Sequence, residues 1–248
     1  MTSLIRNLFR DKTVAAMLLI SSFFIGLCAL APSFFVIIVL NKFLASGVTS
    51  TLVCLALGAV LLLAFELAFR QNRSTMIKEF NQRVFDPFIK MLKDRLAIKQ
   101  ITDEQFKKVQ QNASIITATT APGITGWILD WPFVLMFAVI LLLINWTAAV
   151  ITVLFMLATL AVNYYRTNLN ITQDSQANIE IFLVGLLTIS IISVGSLQVM
   201  AGNLDIGLLI GSNILAARAV QGTSKYAKAV GAIKQREQAM KEINAFIK

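Results

Sequence analysis

Runs of about twenty apolar residues recur along this chain, separated by polar stretches. That repetition admits few folds. At about 1.5 Å per residue, a helix of that length crosses a hydrocarbon layer ~30 Å thick. In hydrocarbon a helix satisfies its own backbone polar groups, whereas an open strand does not. Only 14% of the 248 residues are charged, against roughly 25% in ordinary soluble domains. The runs predict an all-α membrane protein with six transmembrane helices, at about 13–40, 49–69, 123–144, 147–165, 179–200 and from 206 onward. Arg6, Arg10 and Lys12 precede the first run, but it is too long for a leader peptide and no small-residue cleavage site follows it, so it reads as a retained span.

The basic residues give the topology. The N-terminus holds three Lys or Arg, the 70–120 segment ten, the 166–178 link one and the 218–248 stretch seven. Lys42 alone falls on the other side. The positive-inside rule then places both termini and the long segment in the cytoplasm. It also accounts for the net charge of +9 without nucleic acid, because the cations face anionic lipid headgroups.

Two polar segments read as helical. In 70–120, Phe80, Val84, Phe88, Met91 and Leu92 recur at helical spacing. Breaks are expected at Asp86-Pro87, because proline disfavours helix in the residue before it, and near Ile101-Thr102-Asp103. There Thr102 and Gln105 have the spacing of a capping box. The tail from Tyr226 carries Val230, Ile233, Met240, Ile243, Phe246 and Ile247 at helical spacing, so it is an amphipathic helix that needs a partner surface. The division expected is a membrane domain at 1–222 and a cytoplasmic helix at 223–248, with the sixth span and the tail forming one helix. Tight turns are expected at Asn145-Trp146 and at 201–205, with proline effects at Pro32 and Pro132.

Chemistry-bearing residues are few. There is no histidine, so the usual general base and the commonest metal ligand are missing. Cys28 and Cys54 lie inside apolar runs and read as small hydrophobic residues. No paired carboxylates or nucleophile–base arrangement is visible, so the chain is not expected to be an enzyme. Glu66 and Arg70 have the favourable i,i+4 order for a helix ion pair at the membrane boundary; a place on a substrate path is the sharper reading of Glu66. Asp130 and Trp131 stand just before Pro132. Trp127 and Trp131 fit an interfacial aromatic belt, and a hinge is the alternative. Arg218 either snorkels to the headgroups or pairs with Asp130 or Glu66 across the bundle. Asn145, Asn163, Asn203 and Asn213 can hydrogen-bond between helices, and Gly207-x-x-x-Gly211 permits close helix approach.

Three blocks in order resemble the transmembrane domain of type I ABC exporters, in particular the type I secretion branch. Ala31-Pro-Ser-Phe-Phe-Val-Ile-Ile-Val-Leu-Asn-Lys-Phe-Leu44 looks like the end of that family's first span and its outer turn. Leu129-Asp-Trp-Pro-Phe-Val-Leu-Met-Phe137 looks like the start of its third span, and Gly207-Leu-Leu-Ile-Gly-Ser-Asn-Ile-Leu-Ala-Ala-Arg-Ala219 like its sixth. The resemblance implies a permease-like subunit in a bacterial inner membrane, working as a homodimer or hetero-oligomer through its spans. Glu66, Arg70, Asp130, Trp131, Pro132 and Arg218 become its candidate coupling, hinge or intramembrane polar residues. The chain has no Gly-x-x-x-x-Gly-Lys-[Ser/Thr] loop, so it is expected to hold no cofactor, and ATP would act on a separate ATPase subunit. The family's second cytoplasmic hairpin is reduced here to 166–178. That shortening supports the rival expectation, a non-pumping scaffold or accessory subunit derived from such a membrane domain.

Overall fold

A computed structural model describes residues 12–43, 49–98, 103–119, 121–169 and 173–247. All its elements are helical. They are α1 (Lys12–Cys28), α2 (Ala31–Ile38) with a π-helical turn at Val39–Phe43, α3 (Thr49–Ile98), α4 (Asp103–Thr119), α5 (Pro122–Ile144), α6 (Trp146–Leu169), α7 (Gln173–Met200) and α8 (Ile206–Ile247). Among the described residues, five helical stretches are long and apolar enough to cross a membrane: Thr13–Lys42, Ser50–Arg83, Pro122–Ile144, Trp146–Tyr165 and Asn178–Met200. Such a chain is a multi-pass membrane protein.

The proline and turn chemistry acts where expected. Residues 29–30 interrupt the first stretch, and α2 restarts with Pro32 in its first turn, where a missing N–H costs nothing. α5 likewise opens on Pro122. Pro132 lies inside α5; its missing N–H leaves the Ile128 carbonyl without its helical donor. Between α5 and α6 only Asn145 leaves the helix. Its Oδ1 accepts from the backbone N–H groups of Thr147 (3.1 Å) and Ala148 (3.2 Å). Asn145 therefore caps α6 rather than bridging two helices. After α7, Gly202 adopts φ +73°. The Asn203 N–H reaches the Gln198 carbonyl and the Gly202 N–H that of Val199, a Schellman closure that a left-handed glycine permits.

Two expectations change. α3 runs unbroken through Asp86-Pro87 as one 50-residue helix. Proline deletes one backbone bond and crowds one carbonyl, and here the helix continues on both sides of it. The 166–178 link is also mostly helix, since α6 reaches Leu169 and α7 begins at Gln173. The break near 101–103 and the Thr102 cap involve residues outside those described.

α8 is the hub. It packs on α5, α6, α7, α4 and α2, while α1 packs on α3 and α5. Its apolar half is the least lipid-like, with Gly207, Gly211, Ser212, Asn213 and Arg218, and it is not among the five stretches above. A helix enclosed by other helices gains more from small residues and close approach than from a uniform greasy coat. A Cβ at Gly211 would collide with the Ile37 side chain and lie 3.2 Å from the Ser33 carbonyl; one at Gly207 would strike Asn41. The Gly-x-x-x-Gly pair therefore receives α2 and the π-helical turn of the same chain. Leu215, Ala216, Ala219 and Val220 of α8 are buried with Val134, Phe137 and Leu141 of α5, Met156 of α6 and Leu187 of α7. At the other extreme, Val53, Leu57, Val60, Leu61 and Phe65 of α3 are more than half exposed, as suits a lipid-facing surface.

The tail finds its partner inside the chain. Ala239 and Ile243 bury against Val109 and Ile116 of α4, and Asn112 Nδ2 donates to Glu242 at 2.9 Å. Arg236 lies buried on the same helix, and that burial pushes its guanidinium down to about 10.

Candidate functional site

Charged side chains converge where α1, α3, α5 and α8 meet. The starting point is local. Glu66 and Arg70 sit one turn apart on α3, and Arg70 Nε and Nη2 both donate to Glu66 Oε1, at 3.0 and 2.8 Å. That is the i,i+4 pair expected from the sequence. One turn further, Arg73 points into the protein, with its side chain 7% exposed. It grips Asp130 of α5 with two nitrogens, Nη1 on Oδ1 and Nη2 on Oδ2, and its Nη1 also donates to Ser22 Oγ of α1 at 2.8 Å. A planar guanidinium and a planar carboxylate match in this two-pronged geometry.

Arg73 was missing from the sequence reading. It stands among ten basic residues of one segment, and the only local signal was its spacing, seven residues after Glu66 on the same helix face. Its partner is 57 residues away, beyond the reach of any periodicity.

The other expected residues gather around this pair. Arg70 Nη1 lies 3.9 Å from Asp130 Oδ2. Arg218 of α8 approaches Glu66 Oε2 at 3.9 Å, the cross-bundle pairing with Glu66 and not with Asp130. Trp131 stacks on Tyr226 of α8, with ring centroids 4.3 Å apart and planes at 15°. Its ring is thus engaged by protein instead of forming a lipid-facing belt. Pro132 directs no polar group at this cluster, and α5 continues through it.

Some of these residues line a half-open cavity of about 330 Å³. Glu66, Arg70, Asp130, Arg218 and Lys225 form its charged part; Ile25, Ala29, Phe133, Val134 and Phe137 form its apolar part. A second cavity of about 230 Å³ adjoins it across Trp127, Gln221 and Lys225. There Glu180 of α7 accepts from Ser224 and, at 2.8 Å, from Lys228. Lys225, three residues past the expected end of the membrane domain at 222, is exposed at the cavity; its pKa is pushed below the ordinary value first by partial loss of water around it and then by the neighbouring Arg70. Among the described residues no group of three His, Cys, Asp or Glu side chains is placed to hold a metal ion. The arrangement suits electrostatic recognition and positioning of a ligand.

No family model matches this sequence, and no curated protein matches it.

Proposed function

We propose that the chain is the permease-like membrane subunit of an ABC-exporter-like assembly, with α8 as its sixth span and ATP hydrolysis supplied by a separate subunit. It would stand in a bacterial inner membrane, with both termini in the cytoplasm and its spans in contact with a second copy or a related subunit. One observation supports this most. α3 is a single 50-residue helix, about 75 Å long, that carries Glu66 and Arg70 of the charged cavity and Arg73, which holds the cavity's Asp130, and continues into the cytoplasmic excursion. α4 returns from that excursion and is clamped to the tail of α8. A partner pushing on the excursion would therefore move one wall of the cavity against another. That is the mechanical requirement of alternating access, in which packed helices shift between two discrete arrangements.

The second reading is an accessory or scaffold subunit that does not pump. It is favoured by the α6–α7 connection, which passes from Leu169 to Gln173 and leaves no length for a second coupling hairpin.

Gentle-detergent purification of the tagged chain, followed by identification of its companions, separates the two. An ATPase subunit that co-purifies, and whose ATP hydrolysis changes when the chain is present, is the result expected for the permease. A stable complex of other membrane proteins with no ATPase would establish the scaffold reading.

A further inference from the structure

The cavity at Glu66 and Lys225 holds more positive charge than its own carboxylates use. Asp130 already receives two bonds from Arg73, and Glu66 receives two from Arg70. Arg218 comes no nearer to Glu66 than 3.9 Å, too long for a hydrogen bond. Lys225 makes no ion pair among the described residues, although it lines both cavities. Arg218 and Lys225 stand seven residues apart on α8, two turns along one face. Their N–H donors are therefore available to the same half-open cavity.

Arg218 is half-buried with its nearest carboxylate at 3.9 Å, and Lys225 lies exposed at the cavity without an ion pair among the described residues, so both can turn donors toward an incoming anion. A ligand bringing several acceptor oxygens would satisfy a guanidinium fork and an ammonium from different sides at once, as a tetrahedral phosphate does. The apolar part of the lining, with Ile25, Ala29, Phe133 and Phe137, offers such a ligand an apolar lodging. The site also lies where the apolar part of α3 gives way to its basic part, the depth at which headgroup phosphates stand.

We propose that this cavity binds the phosphate group of an anionic phospholipid, with Arg218 and Lys225 as its donors and the apolar wall against the glycerol and upper acyl chain. This inference does not depend on whether the chain pumps. It rests on the geometry of four helices within one chain.

The test uses the full chain in detergent, with melting temperature and native mass spectrometry as readouts. Phosphatidylglycerol, phosphatidylcholine and inorganic phosphate are added in separate arms. Phosphatidylglycerol is expected to remain bound and raise the melting temperature, while phosphatidylcholine does neither. K225Q and R218Q should each weaken that binding by roughly tenfold, the scale of one charge-assisted hydrogen bond. K234Q removes an exposed cation of the same helix and should leave binding unchanged. If inorganic phosphate alone gives the same shift, lost in K225Q, the site binds phosphate but the lipid assignment is overturned. Equal binding of both lipids, or equal weakening by K225Q and K234Q, would show general attraction to the basic surface and overturn the site. Because Lys225 is exposed, the fold of K225Q is expected to persist. Circular dichroism verifies this, and R218Q provides the independent second variant.

Discussion

Arg73 of α3 and Asp130 of α5 form a two-pronged ion pair across 57 residues of sequence, and Ser22 of α1 completes the set of three helices it joins. Removing one member strands the other. D130A should cost about 3 kcal/mol, near the lower end for breaking a buried pair, because Asp130 keeps 22% of its side-chain surface exposed. The double variant R73M/D130A should recover part of that loss, since it leaves no unmatched charge. Thermal unfolding of D130A, R73M and the double variant in one detergent measures the recovery. Additive losses would mean that the pair is not coupled.

The close approach of α2 to α8 predicts a contrast between glycines. A Cβ at Gly211 meets Ile37 and the Ser33 carbonyl, whereas one at Gly58 meets nothing within 4 Å. G211A should destabilise by about 1–3 kcal/mol through overpacking. G58A should stabilise by up to about 1 kcal/mol through helix propensity. Melting temperatures moving in opposite directions are the expected result.

Ile243 joins the α8 tail to α4 and is 1% exposed. I243D places an unpaired carboxylate in that small cluster and should cost about 2–4 kcal/mol there. Hydrogen exchange should rise in both 103–119 and 229–247, while the apolar parts of α5 and α6 stay protected. Exchange rising in the tail alone would mean that α4 is held by something else.

Lys225 predicts a pH effect whose sign can be stated. Burial and Arg70 lower its folded-state pKa below the ordinary 10.5. In the window between those two values the unfolded chain binds more protons than the folded one, so Lys225 makes stability rise with pH there. K225M removes that rise and also the cost of holding the charge at neutral pH. Because Lys225 is exposed, water screens most of that cost, so without anionic lipid K225M should melt only slightly above the parent at pH 7, and the small gap should narrow as pH approaches 10.5. A gap that is constant with pH would show that packing, and not charge, sets the difference.

Much of the fold was legible because hydrocarbon imposes rules that act one segment at a time. Apolar run length marked the helices, Pro32 and the polar 201–205 segment marked interruptions, and the Glu66–Arg70 pair followed from spacing on one helix. Pro87 shows the limit of local rules, since its preference against helix was outweighed within the continuous α3. α8 shows another. Its small and polar residues weaken the hydropathy signal, and their purpose is visible only once α2, α5, α6 and α7 are seen to surround it.

The amino-acid order by itself determined that this chain is helical and has the long apolar helices of a multi-pass membrane protein, because each of those properties is settled within a single run of residues. Tertiary structure alone decided that Arg73 meets Asp130, that Arg218 turns to Glu66, that Gly207 and Gly211 receive α2, and that the tail rests on α4. Those contacts depend on which helices are neighbours. Neighbours are selected by the summed packing of many side chains, and no spacing within one helix records that sum.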